Sequence, residues 1–174
     1  MKENKKRIGA EELDFELTTL FKSETNNSTT LALHFNTEET NQFCDFTNPI
    51  LDIVSKSNIK HGSVTLFTPH TTTSIFINES ETGYINDFKK KIEELIPSDS
   101  YYEHDDWDLR TENMQEDENI NGRSHVRGSI IGSSGVTLPI INSELIIGRW
   151  QRLFFVELDC ARSRRLFVQT QDLN

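Results

Sequence analysis

Apolar and polar residues alternate from Leu13 to Phe21, where Leu13, Phe15 and Leu17 precede Phe21, and again from Thr29 to Phe35 through Leu31, Leu33 and Phe35. A period of two predicts strands with one buried face, and Thr25-Asn26-Asn27-Ser28 between them reads as a turn, so the chain is expected to open on a β-hairpin. The period then lengthens. Ile50, Ile53 and Val54 fall on one helical face behind Thr47 as an N-cap and Pro49 in the first turn, with Gly62 beyond the helix end. Ser63 to Thr68 and Ser74 to Asn78 read as strands flanking Pro69-His70-Thr71-Thr72-Thr73. A second helix is predicted from about Glu81 to Leu95, with Ile85, Phe88, Ile92 and Leu95 on one face and Pro97 as its stop.

No sustained period follows until a short helical stretch after Asn121-Gly122, around His125, Val126, Ser129 and Ile130. Four strands are then expected: Val136 to Ile141, Leu145 to Gly148, Gln151 to Leu158 and Arg165 to Gln171. Only three alanines occur in the chain while β-branched and aromatic residues are plentiful, which favours sheet over a helical bundle. The order of elements predicts an α+β single domain with a mostly antiparallel β-sheet core, two main helices and a short third. Residues 1–10 read as a flexible N-terminal tail and 11–174 as one domain.

Composition fits that reading. Val, Ile, Leu and Phe supply 48 of 174 residues, enough to build one core despite a net charge of −10. That charge argues against a nonspecific nucleic-acid binder or a polybasic membrane-surface protein, since both need a field of the opposite sign. It is also unevenly spread: Asp99 to Glu118 holds nine acids and one base, Arg110, and so carries −8 of the total. A connection of that length is usually functional or disordered. No apolar run approaches the length of a membrane span, and the basic N-terminus is not followed by a signal-like stretch. Two cysteines, Cys44 and Cys160, form no paired motif, so a reducing, cytoplasmic location is expected.

Five histidines are available for chemistry: His34, His61, His70, His104 and His125. His34 lies on the polar side of a strand and His61 in a turn, and both read as structural. His70 stands at a strand end before Thr71, Thr72, Thr73 and Ser74. There it either presents donors and acceptors to a ligand or belongs to a Thr-rich turn that caps its own backbone. His104 lies among carboxylates, with Asp105 beside it, and His125 opens the short helix. The three, His70, His104 and His125, make a candidate set of ligands for a divalent metal ion such as zinc or magnesium, although their spacing matches no compact motif. Glu79, at the end of the strand after His70, is a candidate general base near the same mouth, with Ser80 and its neighbours capping the next helix as the alternative. Gly132-Ser133-Ser134-Gly135 is either a phosphate-holding loop or a plain turn. Arg149, Arg152, Arg162, Arg164 and Arg165 suit phosphate, or serve as partners for the acidic segment of the same or a neighbouring subunit, the reading preferred for most of them.

Taken together, His70-Thr71-Thr72-Thr73-Ser74, Ile77-Asn78-Glu79, Tyr102 with His104-Asp105, His125, Gly132-Ser133-Ser134, Leu138-Pro139-Ile140, Gly148-Arg149-Trp150-Gln151-Arg152 and Val156-Glu157-Leu158 resemble the YjbQ family, grouped as secondary thiamine-phosphate synthases. The resemblance runs from about Phe43 to Gln171. It implies an α+β fold assembling as a homotrimer, a pocket around the three histidines with a bound metal, and a weak ability to join a hydroxymethylpyrimidine pyrophosphate to a thiazole phosphate. Carried over residue by residue, it makes His70, Glu79 and His125 catalytic candidates. Thr71, Thr72, Asn78, Asp105, Ser133, Ser134, Arg149, Trp150 and Gln151 become candidates for binding a small phosphorylated metabolite. The chain departs from the commonest pattern at Asp106-Trp107-Asp108-Leu109-Arg110-Thr111-Glu112-Asn113, where many relatives carry a shorter connection. Two functional classes follow: an enzyme of the synthase type, or a trimeric small-metabolite or metal-binding protein without physiological turnover.

Overall fold

The structure is a computed structural model, described here for residues 16–25, 27–115 and 117–173. The tail expected over residues 1–10, and Leu13 and Phe15 of the first expected strand, lie outside the described residues. Among the described residues nine strands and three helices follow in order: β1 Thr18–Glu24, β2 Ser28–Asn36, β3 Phe43–Asp45, α1 Thr47–Lys56, β4 His61–Phe67, β5 Thr73–Glu79, α2 Thr82–Leu95, α3 Gly122–Ile131, β6 Gly135–Ile141, β7 Glu144–Leu145, β8 Gln151–Glu157 and β9 Ser163–Asp172. A 3₁₀ turn covers Glu103–Asp105. Among the described residues no helix is long and apolar enough to cross a membrane.

The strands form two antiparallel sheets, one of six strands ordered β1-β2-β9-β4-β6-β7 and one of three ordered β3-β8-β5. The alternation of β8 explains how they stack. Leu153 and Phe155 enter the main core with Leu33, Phe35, Val64, Leu66, Leu166 and Val168 of the large sheet and Ile50 and Val54 of α1. Phe154 and Val156, on the opposite face, pack with Phe43, Phe76 and Ile131 in a second cluster. Phe88 of α2 meets Phe43 and Phe76 edge-on at 5.1 and 5.4 Å between ring centroids. The small sheet is therefore buried on both faces, which is why β8 reads as a continuous apolar run rather than an alternation. In the main core, Phe35 touches Phe46 and Phe155 with ring centroids 4.9 Å apart in each case, the edge-to-face arrangement favoured by the ring quadrupole.

The expected hairpin forms between β1 and β2, but the buried face expected of its first strand does not, since every residue of β1 is exposed, Leu20 and Phe21 included. Asn142-Ser143, both at positive φ, turn β6 into β7 as a two-residue hairpin loop requires. Several local expectations are corrected. Thr47 does not cap α1; its hydroxyl accepts the amide of Leu153 at 2.8 Å, and Asp45 accepts the amide of Thr47 instead. Gly62 is no helix stop but a buried position in β4, where an added Cβ would lie 2.1 Å from the carbonyl oxygen of Gln171. Of Ser80 and its neighbours, it is Glu81 that caps α2, by accepting the amides of Gly83 and Tyr84. Leu95 is exposed and Ile96 buried, because α2 ends at Leu95 and the next residue turns extended.

At one end of the sandwich the finish of β4, the start of β5, the finish of β8 and the start of β9 lie together, since Thr73 pairs with Glu157 and Phe67 with Phe167. Helix α3 crosses this end. Gly128 and Gly132 make that approach possible: a Cβ on Gly128 would fall 2.9 Å from the Thr71 carbonyl oxygen, and one on Gly132 would fall 2.4 Å from the Ser74 Cβ. Arg127, fully buried on α3, donates to the Ile96 carbonyl, to Glu93 at 2.6 Å and to Ser98, satisfying acceptors at the C-terminal end of α2.

Candidate functional site

The His70 turn is built by its hydroxyls. Thr68 and Thr73 share a hydrogen bond of 2.7 Å, Thr73 also donates to the His70 carbonyl, and the Thr72 hydroxyl accepts from Arg164 at 3.0 Å. Thr72 and Thr73 thus stabilise the turn itself, as the self-capping reading requires, while Thr71 is left exposed above it. His70 is fixed by its ring: Nε2 accepts the backbone amide of Arg165 at 3.0 Å. Burial, with the nearby Arg164 and Arg165 guanidinium groups adding to it, pushes the His70 imidazole down to about 4, so the ring is neutral at physiological pH.

Asp105 reaches across from the 3₁₀ turn to the start of α3. Its carboxylate accepts the amides of Asn121 at 3.0 Å and Gly122 at 2.9 Å, occupying the positive end of that helix. The glycine is needed there, because a Cβ on Gly122 would meet Tyr102 at 2.7 Å and Asp105 at 2.9 Å. With α3 so placed, the His125 and His104 rings lie 4.4 Å apart between centroids. Burial lowers the His125 pKa, the His104 charge adds to the shift, and Asp159 and Glu118 oppose it.

His70, Thr71, Thr72 and His125 line one cleft of about 370 Å³ together with Pro69, Asn113, Gln115, Asp117, Glu118, Asn121, Asp159, Arg162 and Arg164. Its volume is within the range of small-ligand sites. A second, more open cleft of about 660 Å³ lies beyond Glu118 and His125 and contains His104, Arg110 and Thr111. Arg110 organises the wall between them: it donates to Glu118 at 2.9 Å and to the carbonyls of His104, Glu112 and Asn113. That hydrogen bond from Arg110 holds the Glu118 carboxyl below the ordinary carboxylate range.

Among the described residues, three arginines of the last third form ion pairs outside the acidic segment. Arg152 pairs with Asp45, Arg162 with Asp159 and Arg164 with Glu157, all outside Asp99 to Glu118. The Arg164–Glu157 pair is almost completely buried, and Glu157 also accepts from Thr37 at 2.9 Å and from the Asp159 amide at 3.0 Å. Sequence reasoning missed Asp159 and Asn121 as cleft residues. The available signal was Glu157 and Asp159 interrupting an otherwise apolar strand end.

Other expected site residues lie elsewhere. Asn78 and Glu79 pair with Arg152 and Gln151, with Arg149 and Trp150 next in the chain, at the far end of the β5–β8 pair from His70. Six residue steps of strand separate Thr73 from Glu79, about 20 Å. Asn78 bonds to the Tyr84 hydroxyl, Arg149 stacks over Trp150 at 4.7 Å, and Gln151 accepts from the Gly148 amide. Ser133 bridges to Ile75, and the Ser134 carbonyl accepts the Thr68 amide, so that loop extends the sheet and does not line the cleft. Among the described residues no three His, Cys, Asp or Glu side chains are placed to hold a metal ion. His70 spends Nε2 on an amide, and the His104 Nδ1 is shared at 3.4 Å with both Asp105 and Arg110. Among the described residues the three histidines are thus not gathered into one ready ligand set.

Comparison with known proteins places this architecture. The profile of the family described as UPF0047 protein YjbQ-like matches residues 31–172. A UPF0047 protein of Methanothermobacter thermautotrophicus is 33% identical over 139 residues, spanning 80% of this chain and 89% of the relative. Among solved structures, a YbjQ-like protein of unknown function from Sulfolobus solfataricus superposes with a TM-score of 0.67 at 28% identity, over 83% of this chain and 99% of that one. A hypothetical protein from Aeropyrum pernix gives 0.70 at 26% identity, over 82% and 98%. The chain belongs to the YjbQ-like UPF0047 family.

Proposed function

We propose that this YjbQ-like protein is an enzyme acting on a small phosphorylated metabolite in the His70–His125 cleft, with weak activity of the thiamine-phosphate-synthase type, and that it works as a homotrimer. The observation that carries the reading is the lining of the cleft: two histidines whose environments favour the neutral form line one open cleft with Arg162, Arg164 and Thr71. In that reaction the thiazole nitrogen uses its lone pair to form a bond to the methylene carbon of the pyrimidine. The carbon–oxygen bond to pyrophosphate breaks, and the electron pair leaves on the pyrophosphate oxygen. No proton need be abstracted, so the demand on the protein is to stabilise charge on the departing group. Fixed donors at low reorganisation cost do that best. Arg162 is suited to the pyrophosphate, because its Nε holds Asp159 at 2.7 Å and fixes the direction of the remaining guanidinium N–H groups. His125, neutral at pH 7, supplies a further donor.

The test is direct. Purified protein is incubated with the two phosphorylated substrates, and thiamine phosphate and released pyrophosphate are followed beside the Arg162→Ala and His125→Ala variants. Product formed at equal rates by all three proteins removes the cleft from the reaction. A second reading is favoured by a specific observation: four of the charged groups that line the cleft are already paired, Arg162 with Asp159, Arg164 with Glu157 behind it and Glu118 with Arg110, which suits binding better than chemistry. Saturable ligand binding without product after long incubation would establish it.

A further inference from the structure

We propose that His70 is a fixed hydrogen-bond donor whose Nδ1–H recognises a phosphate or pyrophosphate oxygen of the bound ligand, and is neither the base nor a metal ligand of the site. The proposal rests on the preceding section only in taking the cleft as the place where ligand binds.

The reason lies in where β4 stops. Along β9, alternate amides face opposite neighbours: that of Leu173 donates to His61 on the β4 side, and that of Asp172 to Asn27 on the β2 side. By the same parity the Arg165 amide faces β4. The β4–β9 ladder, however, ends at Phe67 opposite Phe167, and the position that would next face Arg165 is Pro69, where the chain has left the sheet. A strand amide without a partner costs free energy, so an acceptor must be supplied. The His70 ring supplies it, with Nε2 at 3.0 Å from the Arg165 nitrogen. An imidazole nitrogen that accepts a hydrogen bond bears no proton, and the neutral ring then carries its one proton on Nδ1. The sheet register thus selects the tautomer.

No group among the described residues accepts that Nδ1 proton, while the ring lines the cleft. The charges that bear on the ring set the sign of the ligand atom. The cleft also holds Asp117, Glu118 and Asp159, but the charges acting on His70 are those of Arg164 and Arg165, which both bias the ring away from protonation, and Arg165 makes no ion pair among the described residues. A positive field around an N–H donor favours an anionic oxygen. A metal ion or a general-base role would require a bare nitrogen directed into the cleft, and the bare nitrogen is the one spent on the sheet.

The experiment uses the full-length protein labelled with ¹⁵N-histidine, assigned by comparison with the His70→Gln variant, and inorganic pyrophosphate as the probe. At neutral pH the His70 ring is expected to show a protonated Nδ1 and a bare Nε2, and pyrophosphate is expected to shift the Nδ1 resonance saturably. His70→Gln keeps an acceptor where Nε2 was but offers no donor at Nδ1, so it should fold and bind pyrophosphate about 10- to 100-fold more weakly, the loss of one charge-assisted hydrogen bond. His70→Asn restores an N–H at the Nδ1 place and should recover most of that affinity. A protonated Nε2, or a His70→Gln variant that binds pyrophosphate as tightly as the parent, would overturn the proposal. Absence of turnover sinks the synthase reading without touching either readout.

Discussion

Replacing Glu157 with Gln tests the buried charge network that carries the cleft. Glu157 has no exposed surface and Arg164 is 5% exposed; the carboxylate accepts two hydrogen bonds from that guanidinium, one from the Thr37 hydroxyl and one from the Asp159 amide. The amide of Gln has one oxygen in place of two and no charge, so the guanidinium is left buried without its counter-ion. Breaking such a pair from one side costs about 3–5 kcal/mol, a large part of the ~5–15 kcal/mol that holds a domain folded. For a chain of this size each kcal/mol moves the melting midpoint by about 2–4 °C, so a drop of roughly 6–20 °C is expected. Urea unfolding followed by far-UV circular dichroism gives the free energy directly. A companion Arg164→Met change in the Glu157→Gln background should recover part of the loss, because it removes the stranded charge. The same variant should bind pyrophosphate more weakly, since Arg164 no longer holds Thr72. A Glu157→Gln protein within about 1 kcal/mol of the parent would show that the pair is solvated or that the strand ends relax freely, and the argument from burial would fail.

Gly128→Ala sets helix propensity against packing: a helical Gly to Ala change normally gains about 1 kcal/mol, but here the new methyl lies 2.9 Å from the Thr71 carbonyl oxygen. Overpacking of about 1–3 kcal/mol should win, so the variant is expected to melt lower and to bind pyrophosphate more weakly, and a raised melting midpoint would show that α3 shifts without strain. Asp105→Ala removes the acceptor for the Asn121 and Gly122 amides and should cost about 1–2 kcal/mol by urea unfolding, with no loss expected if water caps α3 equally well. Because His70, at about 4, and His125 both protonate less readily in the folded chain than the ordinary 6.5, the unfolded chain takes up protons first as pH falls. Their contribution is therefore complete above pH 6.5 and is lost towards pH 4; urea midpoints across that window should fall, and fall less steeply in His70→Gln.

What the sequence determined by itself was whatever depends on near neighbours. The period of two in Thr29 to Phe35 and the period of 3.6 through Ile50, Ile53 and Val54 appear in the structure as β2 and α1, because pleat and helix repeat within a few residues. The family motifs placed His70, Thr71, Thr72 and His125 on the elements that do meet. Tertiary structure decided the rest. Glu79 follows His70 closely in the chain, yet an extended strand carries it about 20 Å away, so sequence proximity misplaces it. The three-residue β3 is too short to show a period, and its existence depends on β8 beside it. Asp159 and Arg162 become cleft residues only because β8 finishes and β9 begins there, and Glu157 is tolerated inside a strand only because Arg164 faces it. The tautomer of His70 depends on where β4 stops relative to β9, a matter of register between strands a hundred residues apart. Local periodicity is written in the chain; which strand ends share a volume, and which donors find an acceptor there, is settled when the two sheets stack.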